Sequence, residues 1–233
     1  MIDTEKKPLL NQTAIVTGAG RGLGTAVAKA LAAAGANVIV NDINPDRAEQ
    51  VQDAIRQAGG QALAIAADVS NKFHGVNLIE NARAAFGRLD ILVNNAHIQP
   101  KGTLLKMDEW DWNRTFEVNV KGVFFMTQLC SRVMADENQP DGGVVINLGV
   151  ALPPECPVNI AYAASQSALT GFTQAAAQEL AVSHIRVNGV LLPPMANDDE
   201  KRPLLTQQAL ATILDLCQNR QITGALIKLQ NKD

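Results

Sequence analysis

Thr13-Ala14-Ile15-Val16-Thr17-Gly18-Ala19-Gly20-Arg21-Gly22-Leu23-Gly24 is the stretch on which the fold turns. Its first four residues form a short apolar run closed by Gly18. The alanine-rich segment Gly22 to Ala34 follows with helical composition until Gly35 stops it. Strand, glycine-rich turn and helix, in that order, make an anion site. The free N–H groups of a helix N-terminus point at the ligand, and side chains in the turn would block its close approach to the backbone. Glycine-rich turns without a ligand are common, so the flanking strand and helix carry the weight of this reading.

The same alternation continues along the chain. Strands are expected at Asn37 to Val40, Ala62 to Ala66, Ile91 to Val93, Val144 to Ile146, Ile185 to Val190 and Ala225 to Leu229. Helices are expected at Pro45 to Gln57, His74 to Phe86, Met107 to Met134, Tyr162 to Val182 and Leu204 to Leu216. Pro45 suits a first helical position, and Gly59-Gly60 and Gly87 suit helix ends. The strands are continuous apolar runs, the pattern of strands covered by helices on both faces. The expectation is an α/β fold: a doubly wound parallel sheet (Rossmann fold) of about seven strands in a single domain, 1–233.

The glycine spacing is TGxxxGxG rather than GxGxxG, and it resembles that of the short-chain dehydrogenase/reductase family. Further marks follow in the family's order. Asp42 closes the second strand, Asp68-Val69 the third and Asn94-Asn95-Ala96 the fourth. Asn119-Val120-Lys121-Gly122 resembles the central helix motif, and Tyr162 stands where YxxxK belongs. Asn188 follows the sixth strand and Ile222-Thr223-Gly224 precedes the last. The resemblance covers nearly the whole chain and implies an oxidoreductase ancestry with a nicotinamide dinucleotide cofactor. It places Gly18, Arg21, Gly22, Leu23, Gly24, Asp42, Ile43, Asp68, Val69, Asn95, Ala96, His97, Tyr162, Gln166 and Pro193 at the cofactor.

Asp42 lies 18 residues beyond Gly24. A carboxylate there accepts both adenosine ribose hydroxyls and repels a 2′-phosphate, which favours NAD(H) over NADP(H). A strand-end aspartate is also an ordinary turn or cap residue. Arg21 would favour a phosphate, but family members of either preference carry arginine there.

The family's catalytic pattern is broken. By resemblance, Tyr162 is the proton-exchanging tyrosine and Asn119 the helix asparagine that supports a water relay. The lysine position is Gln166, and no lysine occurs from Gly122 to Glu200. The serine position falls on Gly149, or on Val150 in the other register, and no serine or threonine occurs from Arg132 to Ala164. His97 replaces the glycine of NNAG, Leu192-Pro193-Pro194 replaces the Pro-Gly after the sixth strand, and the segment from Asn188 to Thr223 is short. An unassisted tyrosine has a pKa of ~10 and is roughly one part in a thousand ionised at neutral pH. Loss of general acid–base catalysis costs on the order of 10²–10⁴ in rate. The expectation is weak or no hydride transfer. The alternatives are an active NAD-dependent oxidoreductase with rebuilt machinery, in which His97 is a candidate acid, and a non-catalytic subunit or regulator.

The 47% hydrophobic content suffices for a core, and the net charge of -3 gives no nucleic-acid footprint. Cys130, Cys156 and Cys217 have no CxxC spacing. No metal site or disulfide framework is therefore expected, and a reducing cytoplasm fits. Cys156, in a proline-rich loop, reads as an inert thiol ahead of a redox one. No run is long enough to span a bilayer. His74 and His184 stand at element boundaries without a chemical signal, and Trp110 and Trp112 read as packing residues. The two long helices resemble those that pair subunits in the family, which implies a homodimer or homotetramer. The alanine-rich Gln174 to Ala177 segment would allow their close approach.

Overall fold

The computed structural model describes residues 7–153, 159–194 and 202–230. Seven parallel strands form one sheet in the order β3-β2-β1-β4-β5-β6-β7. They are β1 (Thr13–Val16), β2 (Asn37–Asp42), β3 (Gln61–Ala66), β4 (Ile91–Asn94), β5 (Gly143–Val150), β6 (Ile185–Leu192) and β7 (Leu226–Lys228). The helices are α1 (Gly22–Ala33), α2 (Pro45–Gln57), α3 (Lys72–Phe86), α4 (Glu109–Phe116), α5 (Val123–Glu137), α6 (Ile160–Leu180) and α7 (Arg202–Gln218). This is the doubly wound Rossmann architecture. Strand order reverses between β1 and β4, and a crevice opens there beyond the strands' C-terminal ends.

Alternate strand residues feed two separate cores, which is why the strands read as unbroken apolar runs. Ala14, Val16, Val38, Val40, Ile91 and Val93 pack with Val27 and Leu31 of α1, Val51 and Ile55 of α2, and Ile213 and Leu216 of α7. Ile15, Ile39, Leu92 and Val145 pack on the opposite face with Leu78 of α3, Met126, Cys130 and Met134 of α5, and Ala177 of α6.

Helix starts follow local chemistry. The side chains of Asn44, Asn71, Asp108 and Asn159 cap α2, α3, α4 and α6. The Asn71 cap starts α3 at Lys72, two residues before the expected His74.

Three expectations need correction. The stretch expected as one helix from Met107 to Met134 begins at Glu109 and carries a π-helical turn, Glu117–Gly122, between α4 and α5. The wider i→i+5 turn is invisible to a 3.6-residue periodicity. Asn188 lies inside β6; its amide donates to Ile222 O and accepts from Ala225 N, tying β6 to the segment that leads into β7. Trp110 is 70% exposed and Trp112 38% exposed, so neither is a core residue; Trp112 stacks on Phe116 instead. Cys156 lies outside the described residues. Among the described residues, no helix is long and apolar enough to cross a membrane.

Candidate nucleotide and active-site cleft

The glycine turn is built by contacts across the β1–β4 junction. Thr17 Oγ1 accepts from the N–H groups of Asn95 (3.0 Å) and Ala96 (3.1 Å), and Asn95 Nδ2 donates to Thr17 O and Gly18 O, both at 2.9 Å. Gly18 has φ +61°, and a Cβ there would lie 2.8 Å from Ala96 Cα, so only glycine fits. A Cβ on Gly24 would lie 2.5 Å from both Asn95 Nδ2 and Gly18 O. Gly24 is therefore needed for close packing of α1 on the turn, and it does not line the cleft as expected. Arg21 at the N-cap of α1 makes no side-chain cap, so the first N–H groups of this helix lack the side-chain acceptor that α2, α3, α4 and α6 have. A phosphate is the acceptor such a helix end accommodates.

Above the turn the cleft has two compartments. The larger, about 920 Å³, is lined by Gly18, Arg21, Gly22, Leu23, Asp42, Ile43, Asp68, Val69, Asn95, Ala96 and His97, eleven of the fifteen expected cofactor positions. The smaller, about 310 Å³, brings Tyr162, Gln166 and Pro193 together with Leu23, Asn95 and His97. Sequence reasoning missed Arg47, Arg114 and Gln99. Arg47, in the first turn of α2 just after Asp42, carried a local signal. Arg114 had none, because its partner Asp68 is 46 residues away.

Asp42 is 7% exposed. Its Oδ2 accepts from Gly20 N at 2.9 Å and its Oδ1 from Asn44 N at 3.0 Å. It thus holds the turn, and each oxygen retains a lone pair for a further donor. Asp68 bonds Ser70 through Oδ1 and pairs with Arg114 through Oδ2 at 2.7 Å. Burial pushes the Asp68 carboxyl up, but the hydrogen bonds from Ser70 and Arg114 outweigh it and hold the group below its usual range. Arg114 is correspondingly raised: desolvation opposes the charge, and the Asp68 bond outweighs it. His74 Nδ1 accepts from Asp68 N at 3.3 Å, and His184 takes a left-handed φ of 58° at the end of a short 3₁₀ turn.

In the smaller compartment Tyr162 is 4% exposed and Gln166 5% exposed. Gln166 Oε1 accepts from Val150 N at 2.8 Å. A Cβ on Gly149 would lie 3.0 Å from Leu169 Cδ2, 3.0 Å from Leu191 Cδ2 and 3.1 Å from Gln166 Oε1, so a serine there needs these side-chain ends to give way by a few tenths of an ångström. Asn119, within the π-turn, accepts from Ile98 N and donates to Ile98 O and Ser165 Oγ. Its side chain fixes the loop after β4 and is fully engaged there. His97 Nδ1 donates to Asn95 O at 2.9 Å, which leaves Nε2 as the atom able to exchange a proton. Its ring centroid lies 6.4 Å from that of Tyr162.

A glycine turn at the switch point of a doubly wound sheet, with an acid at the tip of β2, defines a nucleotide-binding α/β protein. Comparison narrows this further. Residues 12–207 match the family model described as short chain dehydrogenase. An uncharacterized oxidoreductase of Methylorubrum extorquens is 40% identical over 184 residues, covering 78% of this chain and 72% of the relative. The 3-oxoacyl-(acyl-carrier-protein) reductase of Synechocystis sp. is 38% identical over 191 residues, covering 82% and 76%. A crystal structure of a short-chain type dehydrogenase/reductase from Mycobacterium marinum superposes with a TM-score of 0.87 at 29% identity, covering 98% of this chain and 97% of the other. The chain belongs to the short-chain dehydrogenase family, whose members bind nicotinamide dinucleotide cofactors.

Proposed function

We propose that this chain is an NAD(H)-binding family member with weak or no hydride-transfer activity. One observation carries the reading. The oxygen of Gln166, at the position of the family's lysine, is engaged by Val150 N–H, and a side chain on Gly149 would crowd Leu169, Leu191 and that same oxygen. A bound nicotinamide would supply the hydride donor or acceptor. Neither Gly149 nor Val150 offers a hydroxyl to orient a carbonyl. The adenosine side is better equipped: Gly18, Arg21, Gly22 and Leu23 would cradle the pyrophosphate, Asp42 the ribose, and Ile43, Asp68 and Val69 the adenine.

Asp42 supports NAD(H) over NADP(H), because a 2′-phosphate would meet a buried carboxylate whose surroundings are built around its negative charge. We further propose one domain that works in the cytoplasm as a homodimer or homotetramer. The exposed Trp112 and Phe124, on α4 and α5, support an assembly face.

The test is a turnover screen over ketones and secondary alcohols at pH 7, with binding of NAD(H) measured in parallel. Binding without turnover supports the proposal; robust turnover abolished by Tyr162→Phe overturns it. A second reading rests on His97. Its position in both compartments suits a replacement proton donor, the imidazolium form giving its Nε2 proton to a carbonyl, and turnover lost in His97→Ala but retained in Tyr162→Phe would favour it.

A further inference from the structure

The strands of a parallel sheet all begin at one edge. That edge, opposite the glycine turn, holds a second cavity of about 330 Å³. Gln12 before β1, Arg88 and Asp90 before β4, Asp141 before β5, Arg186 in β6 and Arg220 after α7 line it. It shares no lining residue with the nucleotide cleft.

Three guanidinium groups face two carboxylates here, and both carboxylates are engaged. Asp90 Oδ2 accepts from Arg88 Nε at 2.8 Å and from Thr13 N at 2.9 Å. Asp141 Oδ1 accepts from Arg220 Nη1 at 2.7 Å, and this bond with the charge behind it holds the Asp141 carboxyl below its usual range. Cys217 also lines the cavity, but burial pushes its thiol up to about 12, so it supplies no charge at neutral pH.

Arg186 is the group left over. Among the described residues it has no carboxylate partner. It caps the C-terminal end of α7, where a cation is favoured. Its Nη1 donates to Leu216 O at 2.6 Å and Asn219 O at 2.8 Å, and its Nη2 to Cys217 O at 3.2 Å. A purely structural cap would be complete with these bonds. They use the Nη atoms alone, however, and among the described residues the Nε–H has no acceptor. Burial, and then the charge of Arg220, push the Arg186 guanidinium below its usual range. An anion at the two arginines offsets the like-charge repulsion and pairs the half-buried charge.

The same groups select the anion. Three guanidinium groups less two carboxylates leave one positive charge. A carboxylate matches that charge, and charge-assisted N–H bonds to its oxygens are strong. A phosphate dianion exceeds it and meets Asp90 and Asp141 on the lining. We infer that this cavity is a binding site for a small carboxylate, held by Arg186 and Arg220 at the edge of the sheet away from the nucleotide cleft. The inference is independent of the nucleotide-binding reading above.

The test is nuclear magnetic resonance titration of the ¹⁵N-labelled full chain with acetate, with its neutral isostere acetamide, with phosphate and with chloride at matched ionic strength. Arg186 is left intact because it caps α7; the variants are Arg220→Glu and Asp141→Asn, at exposed side chains. Acetate is expected to move the Gly142 and Gly143 amides saturably, with a dissociation constant below about 10 mM, while acetamide and chloride leave them in place. Arg220→Glu weakens acetate by about tenfold or more, and Asp141→Asn tightens it by about threefold. Shifts confined to the glycine turn, equal shifts with chloride, tighter binding of phosphate than of acetate, or an acetate affinity unmoved by both variants overturns the inference.

Discussion

The side-chain oxygen of Gln166 does two jobs at the end of β5: it accepts the N–H of Val150 at 2.8 Å, and it lies 3.1 Å from the point where a side chain on Gly149 would begin. The two departures from the family's catalytic pattern are therefore physically coupled. Gly149→Ser alone forces its Cβ against Leu169, Leu191 and Gln166, and overpacking of this kind costs about 1–3 kcal/mol. Urea unfolding midpoints should fall accordingly. A midpoint equal to that of the wild type would show that the site relaxes freely.

Gln166→Lys removes the acceptor from Val150 N–H. An N–H left without a partner costs about 1–3 kcal/mol when buried, and this one, only partly buried, belongs at the low end. The substitution is expected to strengthen NAD+ binding while raising turnover little. The double variant Gly149→Ser with Gln166→Lys should be non-additive in stability by about 0.5 kcal/mol or more, because one of the three contacts crowding residue 149 changes. Even that pair should recover only part of the activity, since orientation of the substrate is not restored with it. Full family-level turnover in the double variant would refute this.

Discrimination between cofactors should run through Asp42. NAD(H) is expected to bind at least about tenfold more tightly than NADP(H), a difference of ~1.4 kcal/mol. Asp42→Ala should narrow that gap and lower stability together, because Gly20 N and Asn44 N lose their acceptor. Titrations with both cofactors check it, and a wild-type preference for NADP(H) would reverse the assignment.

The Asp68–Arg114 pair sets an acid limb. A carboxyl held below its usual range in the folded chain contributes stability above its unfolded pKa and loses it as pH falls through the folded one. The contribution is thus present at neutral pH and fades below about pH 4. Both partners are partly exposed, so solvent screening limits it to no more than about 1 kcal/mol. Arg114→Ala should lose that amount at pH 7 and converge with the wild type near pH 2, as followed by urea unfolding across pH. A difference that persists undiminished at pH 2 would assign the effect to packing.

Assembly is testable at Gly171. This glycine is exposed on α6, and a Cβ there meets nothing within 4 Å. Gly171→Arg should leave the fold intact, with a gain of up to about 1 kcal/mol in helix propensity. It should also shift sedimentation equilibrium toward monomer if α6 pairs between subunits. A wild-type monomer at micromolar concentration would remove the homo-oligomer from the proposal.

What the sequence revealed was what local chemistry determines. Pro45 and Gln57 bound α2 as expected, because a proline at the first position and the following glycines act over a few residues. The compartments were legible because the glycine turn, Asp42, Asp68 and Asn95 all sit at strand ends, which a parallel sheet gathers along one edge. The Asp68–Arg114 pair, the π-turn around Asn119 and the Gln166–Val150 bond were not legible, since each depends on partners brought together by the sheet or on a turn that breaks periodicity. Trp112 packs on Phe116 as a packing residue should, whereas Trp110 is 70% exposed, because the burial of a helix face depends on its neighbours and not on the residue type.

The polar residues buried under the cleft have a mechanical consequence. Asn94 on β4 donates to Thr127 Oγ1 of α5 and to Asn147 Oδ1 of β5, and Asn147 donates to Thr173 Oγ1 of α6. This chain crosses the floor of the site from one helix to the other, through a buried layer. A slip of β5 against β4 by one residue would strand these amides among apolar side chains, at a cost of several kcal/mol in total. The floor therefore behaves as a keyed plate. Any motion that admits or releases a ligand must be carried by segments at the strand ends such as His97 to Pro100, while the sheet beneath them holds still.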